Sequence, residues 1–200
     1  MTKKITFFIF ALFSVLIGLY PLIYIFQDRK FGLLKTKSEI ILNDFVWNVA
    51  FYTHIFLGGL ALLIGWIQFV PKWRERKIGL HRTIGKIYII SVLLSAVTGF
   101  YIGIFATGGF IVSAGFMTLA VVWFYTTLSA YLSIRKGNIL LHQKMMVYSY
   151  AACFAAVTLR IYLPVLVGVF REFVKAYLVV SWLCWIPNMI AAYFLNRKQS

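Results

Sequence analysis

Acidic residues are nearly absent from this 200-residue chain: five Asp and Glu stand against twenty Lys and Arg, for a formal net charge of +15. None of the five carboxylates falls inside a long apolar run, so paired-carboxylate acid/base chemistry has nothing to stand on. Cysteine is equally scarce. Cys153 and Cys184 form no Cys-x-x-Cys pair and both lie inside apolar runs, where they read as small packing residues. A Gly-rich phosphate loop, a His-Glu-x-x-His run and a Ser-nucleophile elbow are all missing, which removes the usual hydrolase signatures. Charged residues are 12% of the chain, about half the usual share, and there are no internal repeats or low-complexity stretches.

Apolar residues are what the chain has in excess. They make up 62% of it, with a mean hydropathy of +0.87, more than a soluble fold can bury. At roughly 20 residues per crossing this is material for about six membrane spans. The runs are residues 5–26, 45–70, 87–105, 110–134, 145–170 and 177–195. Pro71 closes the second, Thr107-Gly108-Gly109 separates the third from the fourth, and Asn43 and Asp44 stand ready to cap the second. The first run has no small-x-small cleavage site and is expected to be retained as a helix. The expected fold is an all-α, six-span helix bundle forming a single polytopic membrane domain.

The basic residues cluster in short loops between apolar runs, as membrane topology demands, and nucleic-acid binding is discarded. With the amino terminus inside, thirteen Lys and Arg lie on the inner side, against Arg29, Lys30, Lys35, Lys37, Arg171 and Lys175 outside. The inner set is Lys3, Lys4, Lys72, Arg74, Arg76, Lys77, Arg82, Lys86, Arg135, Lys136, Lys144, Arg197 and Lys198. Both termini are therefore expected to be cytoplasmic, with the inner face attracting anionic lipid.

Inside the bilayer the polar inventory is short. Arg160 is the one formally charged residue within an expected span, at a cost of about 2.5 to 3.5 kcal/mol at a helix centre. No Asp or Glu is available to pair with it, so its partner is a backbone carbonyl (Pro164, four residues on, would free some), water, or an anion from outside the chain. His54 sits at a similar depth, about ten residues from the outer end of the second span, and the two are expected to line one outer-leaflet cavity with Tyr162 and Asn188. Trp47, His54, Gly58, Ala61, Gly65 and Gln68 recur at helical spacing and mark a face that packs against protein. His81 and His142 share the inner level, each just before a span. His142 and Arg160, eighteen residues apart, end a stripe through Met146, Ser149, Cys153 and Ala156. Pro187-Asn188, between Trp182, Trp185 and the carboxyl end, predicts a broken helix near midplane.

Several of these motifs occur in order: Leu80-His81-Arg82 with Gly85-Lys86-Ile87-Tyr88, His142 with Met145-Met146, Thr158-Leu159-Arg160-Ile161-Tyr162-Leu163-Pro164, and Trp182-Leu183-Cys184-Trp185-Ile186-Pro187-Asn188. Over residues 53–188 the chain resembles the bacterial membrane family called domain of unknown function 2306. That resemblance implies a bacterial inner-membrane protein and supplies no activity. More remotely, the span-two histidine, the basic loop and His-Arg-x-x-Gly-Lys are similar to transmembrane cytochromes b, which hold haem between histidines. This likeness implies at most one bis-His haem b, with His81 and His142 as axial ligands to the iron and Arg82 and Lys144 facing the propionates; Met117 is a geometric option opposite His54.

Three function classes remain. One is a haem-binding electron carrier using His81 and His142, with a quinone or redox protein as partner. Another is a binding or transport protein for an anion, small solute or lipid, using Arg160 and His54. The last is an accessory subunit whose polar residues only fix helix packing.

Overall fold

A computed structural model describes residues 2–27, 31–71 and 76–197. Asp28, Arg29, Lys30, Lys72, Arg74 and Lys198 lie outside the described residues. The described chain is helical, without strands, and six helices are long and apolar enough to cross a membrane: Lys4–Phe26, Phe45–Phe69, Ile78–Ile104, Phe110–Arg135, Ile139–Phe170 and Phe173–Arg197, spans one to six. They run alternately up and down, as their short connections require. One end carries the basic loops between spans two and three and between four and five; it is called the basic end here, and the opposite one the far end.

Spans three and five begin earlier than their apolar runs, nine and six residues before positions 87 and 145. The apolar run marks the part of a helix that meets hydrocarbon, and the helix itself continues into the polar layer until a cap stops it. Asn138 is such a cap, its Oδ1 accepting from the Leu141 backbone N–H at 3.0 Å. His81 and His142 therefore sit inside the first turns of their helices rather than before them, their N–H groups bonded to the Lys77 and Asn138 carbonyls. Asp44 caps span two through the Trp47 N–H at 2.6 Å, as its position predicts, while Asn43 ends a separate helix, Glu39–Asn43.

Phe8, Phe26, Val46, Ile90, Val121, Val165 and Ile190 are all exposed around the bundle's flank. An apolar surface this continuous belongs against lipid. Inside, helices approach through small residues. Spans one and two cross where a Cβ on Gly59 would stand 2.7 Å from the Gly18 carbonyl oxygen. The small-residue face of span two packs on protein as expected: Trp47, Ala61 and Gly65 are buried, and Gly58 lies against Ser95 and Trp123.

A polar network closes the half of the bundle nearer the basic end. Tyr88 of span three meets Ser149 of span five at 2.8 Å, and Thr127 of span four meets the same Ser149 hydroxyl at 2.6 Å. Tyr150 donates to the Leu62 carbonyl at 2.8 Å and to Ser14 of span one at 3.0 Å. All five residues are buried, and the two hydrogen-bonded groups, joined through the chain neighbours Ser149 and Tyr150, together tie five spans without a single charge. Cys153 and Cys184 are free, buried thiols, in keeping with a packing role.

Spans five and six are each broken, and the breaks face each other. Span five turns tightly at Phe154, between the helices Ile139–Cys153 and Ala155–Phe170; Pro164 lies inside the second helix without interrupting it. Span six turns at Cys184 and Trp185, just before Pro187, where the missing N–H ends the ladder. Asn188 fastens the two turns, its Nδ2 donating to the Cys184 carbonyl at 3.0 Å, Thr158 Oγ1 at 3.2 Å and the Ala151 carbonyl at 3.3 Å. The Thr158 hydroxyl also donates to the Cys184 carbonyl.

Between spans one and two the chain folds back over the far end. Leu34 and Leu42 are buried with Trp47 and Phe51, Leu33 reaches the cluster of Val112, Tyr177 and Val180, and Thr36 meets Thr107 at 2.9 Å. This segment roofs the bundle.

The tightest glycine gives a direct test of the packing. A Cβ on Gly65 would stand 2.4 Å from a Tyr150 ring carbon and 2.8 Å from a Tyr88 ring carbon, both rings being buried, whereas one on Gly85 meets nothing within 4 Å. Gly65→Ala is expected to lower stability by roughly 1–3 kcal/mol through overpacking, and Gly85→Ala to raise it by about 0.5–1 kcal/mol through helix propensity. Thermal melts of the two variants in one detergent compare them.

Candidate functional site

Span one bends where Pro21 sits, as a 3-10 turn over Tyr20–Leu22. Tyr20 and Tyr24, four residues apart, then share a face. The Tyr20 ring carries the Arg160 guanidinium 4.4 Å from its centroid, a contact worth about 2 kcal/mol when desolvated. Arg160 arrives there because the turn at Phe154 restarts span five and the Thr158–Cys184–Asn188 junction holds the restarted helix against span six. Its Nη1 donates to the Ala156 carbonyl, one turn back, at 2.9 Å. The carbonyl engaged is thus one already within the helix, and not one released by Pro164. Among the described residues no carboxylate pairs with Arg160, and the side chain is half-buried.

Around this cation the far half is aromatic and hydroxylic. Tyr24 lies edge-on to Tyr20, Phe31 and Phe51, with ring centroids 6.0, 5.5 and 5.6 Å away. The roof comes down on the same phenols: a Cβ on Gly32, whose φ is +59°, would stand 2.9 Å from the Tyr24 hydroxyl and 3.7 Å from that of Tyr20. Only glycine accommodates both that backbone conformation and that approach without strain.

His54 also lies in the far half, with its ring on span three rather than on the Arg160–Tyr20 contact. Its ring is held against Gly99 of span three, where a Cβ would stand 2.6 Å from Nδ1. Nδ1 lies 2.8 Å from the Ser95 carbonyl oxygen and 3.2 Å from its Oγ, while the Ser95 hydroxyl donates to the His54 carbonyl at 2.9 Å. Met117 packs on Gly103, one turn beyond Gly99 on span three.

Two other expected members go elsewhere. Tyr162 packs on the Val112–Tyr177–Val180 cluster, away from the Tyr20 contact. Asn188 is committed to the junction between the helix breaks. Tyr20, Tyr24 and Ser95 are the members that the sequence reading passed over, although the Tyr20/Tyr24 spacing and the small residues Ser95 and Gly99, one turn apart, were available as signals.

At the basic end His142 is half-buried, its Nδ1 2.9 Å from the Ala130 carbonyl of span four. His81 is half-buried as well and its own carbonyl accepts from Gln68 at 3.4 Å. Each lies seven residues, close to two full turns, below one member of the Tyr88–Ser149 pair, so both histidines share a level and sit under one bridge. Arg82 is exposed, and the Lys144 carbonyl accepts from Asn196 at 3.1 Å. His142 and Arg160 end no continuous stripe: the turn at Phe154 intervenes, and one faces span four while the other faces span one. Among the described residues no group of three His, Cys, Asp or Glu is placed to hold a metal ion.

With this geometry in hand, the comparison of sequences is decisive on one point: residues 51–196 match the family model described as predicted membrane protein, DUF2306. The chain belongs to the DUF2306 family. No curated protein matches the chain, and no solved structure does. The matched stretch of this DUF2306 protein holds His54, His81, His142 and Arg160, whereas Tyr20, Tyr24 and the roof precede it.

The roof carries a titratable group of its own. Lys37 donates from Nζ to the Phe105 carbonyl and to Thr107 Oγ1, the latter at 3.2 Å, and burial pushes its ammonium down to about 8 from 10.5. The folded chain then binds fewer protons than the unfolded chain between those values, so stability rises with pH from about 8 to about 10.5. A series of melts across this window is expected to show that rise in wild type and a weaker one in Lys37→Met; equal slopes would assign it to other groups.

Proposed function

We propose that this DUF2306 protein binds an oxyanion, either a small solute or a lipid headgroup, at Arg160 in the far half of its bundle. One observation carries the reading: a guanidinium lies in a membrane-spanning helix, on the face of Tyr20, with a carbonyl of its own helix as acceptor and no carboxylate in any span. A guanidinium has five N–H donors in a planar fork suited to carboxylate or phosphate. Tyr20 and Tyr24 add hydroxyls beside it. The basic end, on this reading, is cytoplasmic in a bacterial inner membrane and meets anionic lipid, and the oxyanion site lies toward the opposite leaflet.

A second reading rests on His142. Its Nδ1 contact with the Ala130 carbonyl would leave Nε2 as a lone-pair donor, and with His81 at the same level the two imidazoles would hold the iron of a haem. The residues fit a haem at that point alone: beyond the two histidines the interior is filled by Tyr88, Ser149, Thr127 and Tyr150, and Gly65 has no room even for a methyl group. Oxyanion binding is the better supported of the two.

Native mass spectrometry of the protein purified in mild detergent is expected to show a bound anion or anionic lipid that Arg160→Lys loses. The planar fork is removed while the charge stays, and the loss in affinity is roughly tenfold or more, as for other charge-assisted contacts. Identical ligand content in wild type and Arg160→Lys would remove this site. A Soret band in protein from haem-replete cells would instead favour the second reading.

Orientation has its own test. Single Cys residues at Lys77 and Lys35, in a background lacking Cys153 and Cys184, are exposed to an impermeant thiol reagent on intact cells. Labelling at position 35 and none at 77 is expected; the reverse pattern would invert the molecule.

A further inference from the structure

The Arg160–Tyr20 contact stands at the flank of the bundle and not in its core. Both residues are half-buried. Leu16 and Ile23, one turn to either side of Tyr20 on span one, are exposed; on span five so are Pro164, one turn on from Arg160, and Ile161 beyond it around the helix. At the far end of this seam the roof rests on the phenols. The Phe31 ring centroid is 6.4 Å from that of Tyr20 and 5.5 Å from that of Tyr24, and Gly32 closes on both hydroxyls. Toward the basic end the same two spans meet again where Phe10 stacks on Phe154, with centroids 5.1 Å apart. The cation therefore sits in a seam between spans one and five, with aromatic rings at either end and side chains that face hydrocarbon along its border. Its guanidinium uses one of five N–H donors on the Ala156 carbonyl, and among the described residues the others meet no acceptor.

We infer, resting on the oxyanion reading above, that the oxyanion is the phosphate of an anionic phospholipid from the leaflet at the far end, which enters sideways between spans one and five. An anion dissolved in water would have to give up its hydration to reach a cation bordered by hydrocarbon. A lipid phosphate already stands in the headgroup layer. It needs only to descend past Tyr24 and Tyr20, whose hydroxyls meet the roof, and a bilayer thins locally around a buried Arg. The acyl chains then continue toward midplane along the exposed Leu16 and Leu12, which are one turn apart on span one. Net charge selects among headgroups. A zwitterionic lipid brings an ammonium that would need an anion beside the phosphate site, and no span holds an Asp or Glu to supply one. The ligand class is accordingly a phospholipid with a net negative headgroup, held by its phosphate on the free side of the Arg160 fork.

The test uses full-length protein in nanodiscs of phosphatidylcholine and phosphatidylglycerol in equal parts. After extraction into mild detergent, native mass spectrometry is expected to show phosphatidylglycerol retained about tenfold over phosphatidylcholine by wild type and the two retained alike by Arg160→Lys. A second measurement needs no variant. Phosphatidylglycerol carrying a photoactivatable group next to its headgroup is expected to label the wild-type peptides around Leu16–Ile23 and Ile161–Pro164, in preference to phosphatidylcholine carrying the same group. In a third arm, acetate and inorganic phosphate are titrated into nanodiscs of phosphatidylcholine alone, and neither is expected to bind. Binding of acetate or phosphate that Arg160→Lys abolishes, or retention of phosphatidylglycerol that depends on Arg160 while the label falls on other spans, would overturn the lateral lipid and leave the oxyanion reading standing. Absence of lipid preference and of solute binding in wild type, or retention and labelling unchanged in Arg160→Lys, would overturn both.

Discussion

The junction of Thr158, Cys184 and Asn188 is the constraint on which the far half of the molecule depends. Two helices that break inside a membrane expose carbonyls that water cannot reach, and each must find a donor within the protein. By placing the two breaks against each other, the chain lets one amide and one hydroxyl serve both. The part of span five toward the far end is then a helix of its own, with Ala155, Val157 and Thr158 buried and Arg160 turned toward span one. Without the break, the helical phase set by Ser149 and Cys153 would continue unchanged and carry Arg160 onto a different bearing. The site is thus a by-product of how polar backbone groups are satisfied at midplane.

Much of the architecture was legible in the sequence because the bilayer imposes a simple rule of length and hydropathy. The six spans, the Asp44 cap, the packed face of span two and the irregularity at Pro187 all follow from it. Helix ends did not, since Ile78–Lys86 and Ile139–Lys144 are helical without being apolar, and hydropathy marks lipid rather than hydrogen bonding. The turn at Phe154 was hidden for another reason: no Gly or Pro announces it, and Asn188, which fastens it, lies thirty-four residues away. Pro164, the residue that does advertise a break, is accommodated inside a helix.

The site was half visible. Arg160 stood out as a charge without a counter-charge and His54 as a polar residue at the same depth, and the fold puts them in one half of the bundle, against span one and span three respectively. Tyr20 and Tyr24 were passed over because aromatic residues near the end of a span are ordinary interface anchors; only the bend at Pro21 turns Tyr20 inward under a guanidinium. Tyr162 was misassigned for the converse reason. It is two residues from Arg160, and on a helix that spacing points a side chain to the opposite flank.

The uncharged network between Tyr88, Ser149, Thr127, Tyr150 and Ser14 has a bearing on what kind of device this bundle is. It is a septum: five spans are stitched together across the interior between the Arg160 level and the basic end. The Arg160 level lies between the roof on one side and this partition on the other. A continuous pore would have to part several buried hydrogen bonds at once. Joining the two halves of the bundle would therefore demand a second arrangement of the helices.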